Sequence, residues 1–203
     1  MKLYPMFLMM ATATVLSPGP GVVMTLSNAL RFGLRGTFGG VLGIATGALV
    51  VAAISATSVG VVLATSALVF TVLKYIGATY LIYLGIRAWR TPAFTFREQL
   101  TENAGFGRRF IEGLTLQFTN PKAIFFFLSI FPQFIDPSIS YSTQFTVLVL
   151  TYSSLVVVIH SIYAFFAGQA KSWLTSDAGS RVISKSAGAT FVFFGVALAT
   201  AKR

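Results

Sequence analysis

The chain has 203 residues, of which 55% are hydrophobic and only 10% charged, against about 25% charged in an ordinary soluble domain. With no cysteine, one histidine and five acidic residues, disulfides and cysteine metal sites are excluded and a His/Asp/Glu metal cluster lacks material. The formal charge of +10 is scattered between apolar runs, with no stripe of interleaved aromatics, so it reads as loop charge beside anionic lipid headgroups and not as a nucleic-acid surface.

Residues 3–30 and 36–73 contain no Lys, Arg, Asp or Glu. About 20 apolar residues in a helix cross ~30 Å of hydrocarbon. The pattern predicts an all-α integral membrane protein with six transmembrane helices at about 4–29, 38–63, 66–88, 111–135, 144–168 and 183–201. The first apolar run continues past Pro20 to Leu30, longer than the ~7–15 residues of a signal-peptide core, so it is expected to stay as a span. The chain reads as one transmembrane domain over 1–203. Its halves are about 1–90 and 108–203, joined by a cytoplasmic linker at about 91–107 that holds the one long polar stretch.

Basic residues set the orientation. Arg31 and Arg35 lie in the first loop, Arg87, Arg90, Arg97, Arg108 and Arg109 flank the third, and Lys171, Arg181 and Lys185 lie in the fifth. The opposite side has only Lys2, Lys202 and Arg203. The positive-inside rule therefore puts loops one, three and five in the cytoplasm and both termini in the periplasm. Lys74 and Lys122 remain, inside spans.

The third and sixth spans look alike. Lys74, Gly77-Ala78-Thr79 and Gly85 in one correspond to Lys185, Gly188-Ala189-Thr190 and Gly195 in the other, with one residue dropped. Three spans per unit is an odd number, so a duplicate would sit inverted, giving a 3+3 inverted repeat of the kind common in transporters.

Each half also breaks its first helix. Ser17-Pro18-Gly19-Pro20-Gly21 interrupts span one, and Asn120-Pro121-Lys122 interrupts span four. Paired Gly/Pro interruptions point to a transporter site near the midplane. Pro18 and Pro20 should free the carbonyls of Thr14 and Leu16, and Pro121 that of Gln117. Asn120 suits a helix N-cap and Pro121 the first helical position. Lys122 then puts a cation at a positive helix end, which an anion would make favourable. The expected site is Pro18, Gly19, Pro20, Asn120, Pro121 and Lys122. It would hold a small zwitterion, with its carboxylate near Lys122 and its ammonium near freed carbonyls. Lys74, Asp136 and His160 are candidates for coupling or gating, His160 because it titrates near neutrality. Against each stands a plainer role: an interface anchor for Lys74, a helix stop for Asp136 and a bond to a neighbouring helix for His160. Gly36, Gly39, Gly40, Gly43 and Gly47 give small-xxx-small spacings that let span two pack closely.

Pro18-Gly19-Pro20 with Gly33-Leu34-Arg35-Gly36, the third-span block Gly77 to Gly85, and the fourth-span block from Asn120-Pro121-Lys122-Ala123 to Phe131-Pro132-Gln133-Phe134-Ile135-Asp136 together resemble the LysE/RhtB family of amino-acid exporters. The resemblance spans essentially the whole chain. It implies proton-motive-force-driven export of amino acids or close derivatives across a bacterial inner membrane, with no cofactor. It also leaves room for a homodimer. The absence of a carboxylate deep in the spans argues against a dedicated dibasic substrate. A membrane enzyme would want paired carboxylates, a His/Asp set or a metal cluster within the spans, and the sequence offers none. A channel-like or structural membrane subunit without alternating access is the remaining alternative.

Overall fold

A computed structural model describes residues 3–65, 67–90, 105–127, 131–136 and 138–200, with some side chains inside these ranges, Lys74 among them, outside the description. Every regular element among the described residues is helical. In chain order they are α1 (Tyr4–Leu16), α2 (Pro20–Thr65), α3 (Ala67–Arg90), α4 (Phe106–Thr119), α5 (Pro121–Phe125), a 3₁₀ turn (Phe131–Phe134), α6 (Tyr141–Ala167), α7 (Lys171–Leu174) and α8 (Asp177–Thr200).

The 46 residues of α2 would make a rod of about 69 Å if straight, more than twice the hydrocarbon thickness. They are instead two arms. Gly33 has φ 66° and ψ −176°, a backbone region essentially reserved for glycine, and it folds the helix back on itself. Gly36 lies on Phe32, Gly40 on Asn28 and Met24, and Ile44 on Gly21. Numbers rise on one arm as they fall on the other, so arms 20–32 and 34–65 are antiparallel. The predicted first loop shrinks to one residue, because the helical turns carrying Arg31 and Arg35 continue past the apolar boundary.

Predicted span one is therefore α1 followed by arm 20–32, split at residues 17–19. Span four is split likewise into α4 and α5, with a π-type turn at 126–127 and the 3₁₀ turn beyond. The other predicted spans fall within arm 34–65, α3, α6 and α8 to within a few residues at each end. Residues 91–104 of the predicted linker lie outside the described residues, and its last part is corrected: α4 already begins at Phe106. Two stretches among the described residues, Pro20–Ser55 and Tyr141–Ala167, have the length and hydropathy of a membrane-crossing helix. The first of them contains the Gly33 reversal.

The glycine stripe is the seam between arm 34–65 and α4. A Cβ at Gly39 would come 2.6 Å from the Phe106 carbonyl oxygen, one at Gly43 would strike the Phe110 carbonyl, and one at Gly47 would come 2.6 Å from Cβ of Gln117. Residues 39, 43 and 47 thus face 106, 110 and 117, so these two helices run in parallel. On the other side, α1 runs parallel to α6. Tyr4 bonds Thr151 at 3.0 Å, and Tyr163 donates to the Leu16 carbonyl at 2.6 Å. The third-span and sixth-span blocks meet each other in the antiparallel pair α3 and α8. A Cβ at Gly188 would lie 2.8 Å from the Gly85 carbonyl, and one at Gly195 would lie 2.9 Å from that of Ala78.

Two measurements check this packing. Gly43→Ala forces a Cβ into backbone and should lower stability by about 1–3 kcal/mol, read as a drop in thermal midpoint in detergent. Gly105→Ala, where a Cβ meets nothing within 4 Å, should leave the midpoint unchanged. Tyr163→Phe leaves the Leu16 carbonyl without its donor and should destabilise by about 1–3 kcal/mol, read the same way.

Candidate functional site

The two breaks fall about halfway along their spans. α1 has 13 residues before its break and α4 has 14, which is roughly 20 Å of helix in each case. Each break strands backbone carbonyls in an apolar interior, where an unpaired group costs several kcal/mol. The chain supplies most of the donors. The Ser17 hydroxyl donates to the Thr14 carbonyl at 2.7 Å, Tyr163 takes that of Leu16, and the Asn120 N–H takes that of Gln117 at 3.3 Å. The expectation that these carbonyls await a ligand ammonium is therefore corrected: neighbouring donors already use them.

The restarted helix α5 is capped from within. The Asn120 side chain accepts from the Lys122 N–H at 3.2 Å and donates through Nδ2 to Gln117 Oε1 at 2.9 Å. Asn120 and Gln117 are both buried, and Pro121 holds the first helical position.

The stranded carbonyl of Ser17 joins the two breaks. Lys122 Nζ donates to the Ser17 carbonyl oxygen at 2.8 Å and to Ser17 Oγ at 3.3 Å. Lys122 is 6% exposed. Its Nζ lies 3.3 Å from where a Cβ of Gly19 would stand, a close approach that the bare glycine accommodates. No carboxylate lies in ion-pair range of this ammonium among the described residues.

His160 occupies the next seat. Its Cε1 lies 3.3 Å from where a Cβ of Gly21 would stand, and its Nδ1 bonds Thr25 Oγ1 at 2.6 Å. The two titratable side chains thus rest over glycines two residues apart in one Pro-Gly-Pro-Gly turn. Pro18 and Pro20 flank those seats, half-buried, and Pro20 starts the inner arm.

Beyond α5 the interior turns aromatic. Phe126 and Phe127 pack on Tyr152 at 4.7 and 4.9 Å, and Phe7 packs on Phe134 at 5.3 Å and on Phe131 at 6.1 Å. These rings are buried. The site meets aromatic rings on that side and the polar side chains of Thr25 and Asn28 on the other.

Asp136 stands outside the site. Its Oδ1 accepts from the Ser138 N–H and hydroxyl at 3.0 and 2.6 Å, and its backbone is held by Gln144. That arrangement closes a turn after the 3₁₀ segment. Lys74 is on α3, and its side chain lies outside the described residues. Ser17, Thr25 and Tyr163 were missed as site partners. Ser17 could have been found from its place immediately before the first proline, and Thr25 from standing one turn beyond Gly21.

Comparison with known proteins gives the fold its kinship. A family model described as LysE type translocator matches residues 12–202. The homoserine/homoserine lactone efflux protein of Salmonella typhimurium is 31% identical over 97% of this chain and 95% of its own length. An uncharacterized membrane protein of Vibrio cholerae is 33% identical over 97% and 96%. The leucine efflux protein of Salmonella choleraesuis is 30% identical over 97% and 94%. No solved structure matches. The relatives named as efflux proteins are transporters rather than enzymes, and the chain belongs to the LysE type translocator family.

Proposed function

We propose that this chain is a secondary-active exporter of amino acids or close derivatives across the bacterial inner membrane, driven by the proton motive force, with its cargo bound where the two helix breaks meet. The observation that carries the reading is the Lys122 ammonium, buried beside a stranded backbone carbonyl 2.8 Å away with no carboxylate to balance it among the described residues. A buried charge calls for a partner. A zwitterion meets both needs at once. Its carboxylate pairs with Lys122, and its ammonium takes the Ser17 carbonyl that Lys122 releases. On this reading the lysine holds the place of the cargo's own ammonium until the cargo arrives. Relatives bear the names of homoserine and leucine exporters, which favours a neutral amino acid and agrees with the lack of a deep carboxylate.

The same geometry supports six spans as a 3+3 inverted repeat, multi-pass, with both termini periplasmic. Ser17-Pro18-Gly19 corresponds to Asn120-Pro121-Lys122, so Gly19 and Lys122 are equivalent positions that face each other. There is space there for one side chain, and the second half supplies it. The Gly85–Gly188 contact has its counterpart in the contact of Gly195 with Ala78, beside Gly77. Pairs that exchange in this way are what a two-fold axis between the halves produces. The aromatic packing beyond α5 is the outer gate, and the polar face of the inner arm opens to the cytoplasm.

The test is uptake of labelled leucine and homoserine into inverted vesicles and proteoliposomes carrying the protein. Saturable transport with counterflow is expected, whereas a flux that neither saturates nor shows counterflow would overturn the carrier reading. Lys122→Gln should cut transport by at least about tenfold, the scale of losing a desolvated charge partner, with membrane insertion unchanged. Wild-type rates in that variant would remove Lys122 from the site. His160→Gln should abolish accumulation driven by a proton gradient while leaving counterflow within about twofold, because exchange needs no net proton movement. Gradient-driven accumulation that persists in that variant would exclude His160 from coupling.

A further inference from the structure

One face of the inner arm extends the site toward the cytoplasmic end. Gly21, Thr25, Asn28 and Phe32 follow the spacing i, i+4, i+7, i+11 and so lie in one row, about 16 Å long at 1.5 Å per residue. Gly21 and Thr25 seat His160. At the other end, the Arg109 guanidinium lies 4.8 Å from the centroid of the Phe32 ring. Asn28 stands between them. It is only 8% exposed, and its amide nitrogen is buried without a hydrogen-bond partner among the described residues. That nitrogen is aimed into the notch left by Gly40: a Cβ there would come 3.0 Å from Nδ2, with the Arg109 carbonyl oxygen 3.8 Å from the same point. One turn further on, Arg31 and Gly33 are exposed.

A buried amide that donates to nothing is normally explained by a ligand or a function. Here it lies between the exposed end of the arm and the proposed cargo site, near the backbone of a residue whose guanidinium suits a carboxylate. No acidic side chain interrupts this row. We infer that Asn28 is a recognition point for the cargo's carboxylate on the cytoplasmic side. The carboxylate is met by the Asn28 amide, with Arg109 drawing it in, before it passes to Lys122. The ligand class is a free carboxylate, as in an α-amino acid. This inference rests on the export reading and the topology proposed above.

The experiment compares half-saturation for labelled leucine from the two faces, using inverted vesicles for the cytoplasmic face and right-side-out vesicles for the other. Asn28→Leu removes the amide and keeps the volume. It should raise half-saturation at the cytoplasmic face about tenfold, leave the opposite face unchanged and leave the thermal midpoint equal or higher. Asn28→Gln retains the donor and should recover most of the cytoplasmic-face affinity, and it serves as the reporter if the leucine variant does not insert. Equal shifts at both faces, or no shift at either, would overturn the inference while the export reading stands. If the unsubstituted protein carried neither leucine nor homoserine, the export reading would fall and this inference with it.

Discussion

A backbone carbonyl that has lost its helical N–H must find another donor wherever water is absent, and this chain creates that problem twice near mid-span. Ser17, Tyr163 and Asn120 cap three of the stranded groups. The fourth, on Ser17, is met by a lysine from the opposite break. The two halves are thereby joined at a lysine–carbonyl hydrogen bond deep in the bundle, near buried Asn120, Gln117, Thr25 and His160. The close seams on either side, glycine against backbone along α4 and between α3 and α8, bring the halves near enough for that bond to form.

This arrangement suits transport for a simple reason. A cation bonded to a neutral carbonyl is adequately solvated but not neutralised, so an arriving zwitterion can replace the bond with two better ones. In the proposed cycle the cargo opens a site that Lys122 and Ser17 otherwise hold closed. Aromatic rings on one side and polar side chains on the other give the two directions different character. The short α5, the π-type turn at 126–127 and the 3₁₀ turn at 131–134 carry both Lys122 and several of the packed rings.

Most of the fold was legible in the sequence because hydrophobic runs and prolines act locally. The helices, both breaks and the capping role of Asn120 follow from a few neighbouring residues each. The reversal at Gly33 was not legible, because the charged turns at Arg31 and Arg35 looked like the edges of a loop, and a single glycine torsion made the loop unnecessary. The partners of the stranded carbonyls were not legible either, since Tyr163 and Leu16 lie far apart in the chain. The glycines of the Pro-Gly-Pro-Gly turn read as breakers of helix, and only the packing reveals them as seats for Lys122 and His160. For Asp136 the sequence offered a helix stop or a gate, and the structure holds its carboxylate in a local turn with Ser138.

The most direct measurement of the central claim is a structure of the protein with leucine or homoserine bound, determined by electron cryo-microscopy in a lipid nanodisc. The account predicts the cargo between the two breaks, its carboxylate within hydrogen-bond reach of Lys122 Nζ and its ammonium on the Ser17 carbonyl. Cargo bound elsewhere, with the bond between Lys122 and Ser17 intact, would contradict it.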